Sequence, residues 1–286
     1  MKSCVFCGSG NLTKEHVWPQ WLRKYSGPAS FIERSGGYQE TYKRTVVRQD
    51  AGGEIFRTTE KRGNRTPNLH EVQVKCVCAK CNNGWMSKME SKVRPILEKL
   101  IELKSINLNR DQLKLLSSWA FKCFLMYDQY LPERDRVYSE SDYTNFMLNR
   151  SPNSGSRIYM GWADNPWSTI AMWHEPQLLI PPESNDFGAL KARNNLASSY
   201  LAVQRVYFIQ HYYSKDIKWN QEAREYLYHE PIRMITQAPV LELHPMPKIS
   251  EWPIRQTSFL ELEASRLALL NRMNDLPSLA NKLPFK

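Results

Sequence analysis

Cys4-Val5-Phe6-Cys7 and Cys78-Ala79-Lys80-Cys81-Asn82-Asn83-Gly84-Trp85 each open with a Cys-x-x-Cys pair, and Lys14-Glu15-His16-Val17-Trp18-Pro19 follows closely on the first. Two such pairs are the usual ligand set of a closed, tetrahedral Zn²⁺ site. A single ion held by Cys4, Cys7, Cys78 and Cys81 would bring Glu15-His16 and Asn82 into one neighbourhood. Four thiolates leave the zinc no open position, so it is structural and any chemistry belongs to the residues it gathers. Cys76 is a competing thiol. The x-x spacing to Cys81 favours Cys78 and leaves Cys76 as a strand residue.

Outward from these stretches the pattern reads as a small finger with a hairpin inserted in it. Gly8 and Gly10 allow the tight backbone of the first pair, and Trp18, Trp21 and Leu22 are candidate core residues, with Pro19 fixing the chain after the histidine. Residues 41–60 alternate as a β-hairpin turning at Asp50-Ala51-Gly52-Gly53. Lys61 to Pro67 follows as a basic loop. Val72 to Cys76 reads as a strand entering the second pair. Asn82 is placed to cap a helix from about Gly84 to Leu103, whose apolar positions Met89, Val93, Ile96, Leu97 and Leu100 recur at helical spacing. Pro95 should kink or split that helix.

After a link at 105–109, a second helix is expected from about Arg110 to Tyr130, with Leu113, Leu116, Ala120, Cys123, Phe124 and Tyr127 on one face. Beyond it lie short strand candidates at Arg157–Trp162, at Thr169–Trp173 and from Tyr200–Val203 through Phe208–Ile209, and a closing amphipathic helix at Ser258–Asn274. The expected fold class is α+β: residues 1–104 a finger with the hairpin insertion, residues 105–286 a mixed α+β domain without a catalytic motif of its own.

The order Cys-x-x-Cys, acid-His, Cys-x-x-Cys-Asn resembles the HNH (His-Me finger, ββα-metal) endonucleases, and among them the zinc-stabilised branch that includes phage-type junction-resolving enzymes. The resemblance covers about the first hundred residues. Trp119-Ala120-Phe121-Lys122 looks like the helical companion of stand-alone bacterial members. The chain departs from the family in carrying Glu where Asp is common and in a wider separation of its two halves. The family's central Asn has no clear occupant here, Asn68 lying ten residues before Cys78. The resemblance implies a zinc-bound ββα-metal finger in which His16 is the general base and Glu15 and Asn82 hold a catalytic Mg²⁺ or Mn²⁺, with Asn83 competing with Asn82 for that place. It also implies hydrolysis of DNA phosphodiester bonds and a role in restriction or phage defence, with RNA still open as substrate. A second copy of the chain and a defence-system protein remain open as partners.

The chemistry agrees with the residue types. Mg²⁺ prefers oxygen ligands and takes few of them from the protein, which a carboxylate and an amide oxygen satisfy. Histidine titrates near neutral pH and suits removal of a proton from water. Neighbouring residues on a strand face opposite ways, so Glu15 and His16 should sit at a strand end or bulge if both serve one point.

Charge supports a polyanionic partner. The chain carries a formal +10, with 19 Lys/Arg against 10 Asp/Glu in residues 1–104 and 20 against 19 in the remainder. An excess confined to the segment with the metal motif fits a phosphate backbone. Lys14, Lys61, Arg62, Arg65, Lys80 and Lys88 are the expected contacts. No run of 18 apolar residues is present, so no membrane span is expected, and cysteines placed as metal ligands suit the cytoplasm. The competing readings are a non-catalytic zinc-finger protein that binds nucleic acid through the same basic face and a protein-interaction module with a purely structural finger.

Overall fold

The computed structural model describes residues 2–25, 40–49, 55–65, 72–102, 108–163, 170–180, 194–204, 206–214, 241–244 and 256–257. The first cysteine pair sits in a tight loop in which Cys4 N donates to Ser9 O and Gly8 N to Cys4 O, both at 2.8 Å. Gly8 and Asn11 take left-handed backbone (φ 72° and 56°), a region these two residue types enter at low cost. Strand β1 (Leu12–His16) then pairs antiparallel with β4 (Gln73–Cys78). The register runs Leu12 opposite Cys78 to His16 opposite Gln73, with a shift between Thr13 and Glu15. Lys75 and Cys76 of β4 thus stand against Lys14 alone, a bulge in the ribbon.

The chain turns helical at once. A short α1 (Ala79–Cys81), a π-helical turn (Asn82–Met86) and α2 (Ser87–Ile101) follow one another. Cys78 occupies the N-cap, and Asn82 lies inside the helical run (φ −61°, ψ −60°) rather than capping it. The second knuckle is itself the first helical turn, which frees the Asn82 side chain. Gly84 breaks the geometry locally (φ −90°, ψ −106°). The helix does not end at Pro95: that residue lies on the exposed face, where a carbonyl lacking its N–H partner is open to water.

Helix α3 (Arg110–Tyr130) starts at a capping box in which Gln112 N donates to Asn109 Oδ1 and Asn109 N to Gln112 Oε1, each at 2.9 Å. It is buried without interruption from Leu116 to Asp128, the mark of a helix enclosed on all sides. It packs against α2, β4 and the main sheet. Helix α4 (Glu140–Asn149), capped by Ser139 and Asp142, was not legible in the sequence, because it buries only Tyr143 and Phe146 and so shows no long apolar stripe.

The main sheet has eight strands: β2 (Glu40–Gln49), β3 (Ile55–Arg65), β5 (Ser156–Ala163), β6 (Ile170–Ile180), β7 (Leu196–Val203), β8 (Val206–Tyr213), β9 (Leu241–His244) and β10 (Gln256–Thr257). Their order is β10-β5-β8-β7-β6-β2-β3, with β9 also on β5. The pairs β10–β5 and β2–β6 are parallel, the others antiparallel. The expected hairpin thus exists as β2–β3, and Lys61, Arg62 and Arg65 lie on β3 rather than in a loop. Its turn at 50–53 and the expected helix at 258–274 lie outside the described residues, as does most of the 105–109 link.

The fold is therefore mixed α+β. The β2–β6 pairing and an apolar core running without a break from Cys4 to Leu243 both cross the expected division at residue 104. No helix among the described residues is long and apolar enough to cross a membrane.

Candidate metal centre and the residues around it

The loop of the first knuckle and the end of β4 bring Cys4, Cys7, Cys78 and Cys81 together, their sulfurs all within 4.8 Å of one another. Cys7 Sγ and Cys78 Sγ are 3.5 Å apart. Zinc–sulfur bonds of about 2.3 Å set tetrahedral edges of about 3.8 Å, so the four sulfurs already have the size of a zinc site. Burial pushes the Cys4 thiol up and the Cys81 thiol up to about 12, whereas the Ser9 hydroxyl, 3.4 Å from the Cys7 sulfur, brings Cys7 down to about 6. Metal binding would release the protons still held by the buried thiols. Cys76 stays outside the cluster, its thiol pushed up to about 12 by burial on the inner face of β4. Of the two alternatives at the second pair, the cluster contains Cys78.

An aromatic layer ties the knuckles to the rest of the molecule. Phe6 meets Trp85 edge-on at 5.0 Å, and both touch Phe146 of α4, which packs on Phe121 of α3 at 5.1 Å. The Arg150 guanidinium lies 4.1 Å over the Trp85 ring. The cysteine cluster is a corner of the common core.

Along the ribbon, alternation and the bulge set the fate of each polar side chain. Lys14 and His16 face outward, and Glu15 is buried. His16 Nε2 lies 2.6 Å from Gln73 Nε2 and 3.2 Å from Gln20 Nε2. An amide N–H donates, so this imidazole nitrogen is an acceptor and carries the lone pair a base requires. Glu15 turns inward, and the Lys122 ammonium of α3, wholly buried, donates to Glu15 Oε1 at 2.8 Å and to Glu90 Oε1 of α2 at 2.7 Å. Burial alone would lower the lysine's pKa; the two carboxylates outweigh it and hold it above the ordinary value. Asn82 donates from Nδ2 to Thr13 Oγ1 (3.1 Å) and more weakly to Lys14 O (3.5 Å).

The structure therefore gathers the four cysteines and sets Asn82 against β1. It sends Glu15 and His16 to opposite sides of the strand, and the only His/Cys/Asp/Glu group of metal-binding size among the described residues is the cysteine cluster. Glu15 Oε2 and Asn82 Oδ1 accept no hydrogen bond among the described residues. Asn83 is exposed.

Sequence reasoning passed over Gln20, Gln73, Glu90 and Lys122. The last had a signal: a lysine in the middle of the apolar run Ala120-Phe121-Lys122-Cys123-Phe124 demands a buried anion. Of the expected phosphate contacts, Lys14, Lys80 and Lys88 are exposed, joined by Lys75, opposite Lys14 on the ribbon. The chain matches no protein-family model, no curated protein and no solved structure.

Proposed function

We propose that the chain is a metal-dependent endonuclease of the His-Me finger kind, with Cys4, Cys7, Cys78 and Cys81 holding a structural Zn²⁺ and DNA as substrate. The observation that carries this reading is the order of the elements around the cysteine cluster. A strand ends in a half-exposed histidine, an antiparallel partner returns to the second cysteine pair, and a helix begins there with Asn82 in its second turn. Gln20 and Gln73 orient the His16 ring through Nε2 on the outer face of the ribbon, and the attacking water gives its proton to Nε2 after displacing those amides from it. Lys14 and Lys75 draw the phosphate backbone to that face, and the exposed Lys80 and Lys88 of α1 and α2 add to the positive charge. Glu15 Oε2 and Asn82 Oδ1 would hold the divalent ion, and a phosphate reaching round the end of β1 from the His16 side would there be polarised and its departing oxygen stabilised.

One observation favours a second reading. The Lys122–Glu15 pair gives Glu15 a structural partner, as in a zinc module that binds nucleic acid without cutting it. Incubation of the zinc-loaded protein with supercoiled plasmid separates the two. The nuclease nicks or linearises plasmid with Mg²⁺ or Mn²⁺ and is silenced by chelation of the added ion. Salt-sensitive binding with no cleavage under any divalent ion gives the second reading and overturns the first. A defence role is an extension of the same proposal, read out as plaque reduction in cells expressing the chain.

A further inference from the structure

The ion triad of Glu15, Lys122 and Glu90 lies between β1, α3 and α2, and of its three members only Glu15 enters the reaction just described. Lys122 has no exposed surface, and the Glu15 and Glu90 side chains open only slightly to solvent, at 11% and 22%. The ammonium therefore stands on the inner side of the two carboxylates, holding Oε1 of each and leaving Oε2 of each outside the contact. A buried lysine is costly unless paired, and its stem here replaces an apolar side chain in the middle of α3. Packing alone would be served as well by Met or Leu, so the charge calls for an account.

We propose that Lys122 is a positioning residue for Glu15: by fixing Oε1 from within, it presents Oε2 of the same carboxylate to the divalent ion. This rests on the nuclease reading, and it makes α3, which follows the finger in sequence, part of the finger's working structure. Glu90 balances the ammonium that Glu15 alone would share with the ion. Without the ammonium, a carboxylate from β1 and one from α2 repel each other and rotate apart toward the solvent they already touch, and Glu15 leaves its place.

The test is Lys122→Met in the full-length, zinc-loaded protein. Mn²⁺ binding is measured by electron paramagnetic resonance without DNA, and plasmid cleavage is followed across a Mn²⁺ titration. The expected result is Mn²⁺ binding at least tenfold weaker, half-maximal cleavage at correspondingly higher Mn²⁺, and a rate at saturating Mn²⁺ within about threefold of the parent. An equal loss at every Mn²⁺ concentration overturns the proposal, because that is how general structural damage behaves. Tighter Mn²⁺ binding also overturns it, since a lysine that merely competed with the ion would give that result. Should Lys122→Met lose zinc or its cooperative melt, the double variant Lys122→Met/Glu90→Leu removes one charge along with the other, leaves Glu15 Oε1 without a donor and must still bind Mn²⁺ more weakly than the parent. Failure of both variants to fold assigns Lys122 to structure and overturns the proposal. A parent protein that neither binds Mn²⁺ nor cuts DNA brings down the nuclease reading and this one with it. A parent that does both beside an unaffected variant brings down this one alone.

Discussion

His16 ends β1 on the outward side of the ribbon, with two glutamine amides on its Nε2 and lysines along the same face. Removing the ring should leave zinc content and DNA affinity as they are while plasmid cleavage falls about 10²–10⁴-fold, the range for loss of a general base. Glu15→Ala and Asn82→Ala should fail differently, their residual cleavage recovering as Mn²⁺ is raised; a rate near the parent's for His16→Ala would move the active site elsewhere. A second residue-scale expectation concerns Cys123, wholly buried in α3 with its thiol pushed up to about 12 by desolvation. In the unfolded chain the thiol ionises from roughly pH 8.5. The folded value is the higher one, so its contribution to stability is complete below about pH 8.5 and is lost progressively toward pH 12. Urea melts of Cys123→Ala at pH 8 and pH 10 should show a fall in stability smaller than the parent's by about 2 kcal/mol. Equal falls would mean that the thiol is reached by water.

At the scale of elements, two clusters hold neighbours in register. The four cysteines clasp the N-terminal loop, β4 and α1, none of which has much core of its own. Cys78→Ser should abolish zinc uptake and the folding of this corner, because structural zinc contributes on the order of 10 kcal/mol to such units. Zinc analysis together with near-ultraviolet circular dichroism decides it, and a well-folded, zinc-free variant would refute it. The second cluster joins α3 to the sheet. Asp128 accepts from Val137 N (2.9 Å), from the Tyr143 hydroxyl (2.9 Å) and from His174 Nε2 (3.3 Å), and His174 Nδ1 meets the Ser199 hydroxyl at 2.6 Å. Asp128, His174 and Ser199 are buried, so the chain of aspartate, histidine and serine cements β6 and β7 to α3 and offers no nucleophile to a substrate. Asp128→Ala strands three buried donors, and a loss of roughly 3 kcal/mol in denaturant melts is expected.

For the whole molecule, the consequence of the topology is that the N-terminal segment is not self-sufficient. Lys122 reaches Glu15 across 107 residues, Phe6 packs beside Phe146, and β2 lies against β6. A fragment ending at residue 104 leaves Glu15 and Glu90 without their cation and exposes the apolar surface that α2, β4 and Phe6 bury against α3 and α4. It should remain poorly dispersed in an amide NMR spectrum even with zinc present; a folded spectrum would show that α3 is dispensable. DNA binding of the full chain should weaken steeply with salt, and Lys14→Ala and Lys75→Ala should each lower the log–log slope by about one.

Local patterns were readable because their causes are local. The spacing Cys78-x-x-Cys81 is the reach of two thiolates to one ion, and Asn109 with Gln112 satisfies its own helix start. The alternation that marked the hairpin is the two-residue period of the strand backbone itself. The sequence by itself thus determined the mixed α+β class, the cysteine cluster, the hairpin and α3. Only the tertiary structure decided that β2 and β3 extend the main sheet, that the helix starts at the second knuckle and runs through Pro95, and that Glu15 faces inward to Lys122 while His16 faces out. The reason is physical: a strand fixes that neighbours point to opposite sides, but which side is interior depends on what packs there. Here that is α3, a hundred residues away in the chain.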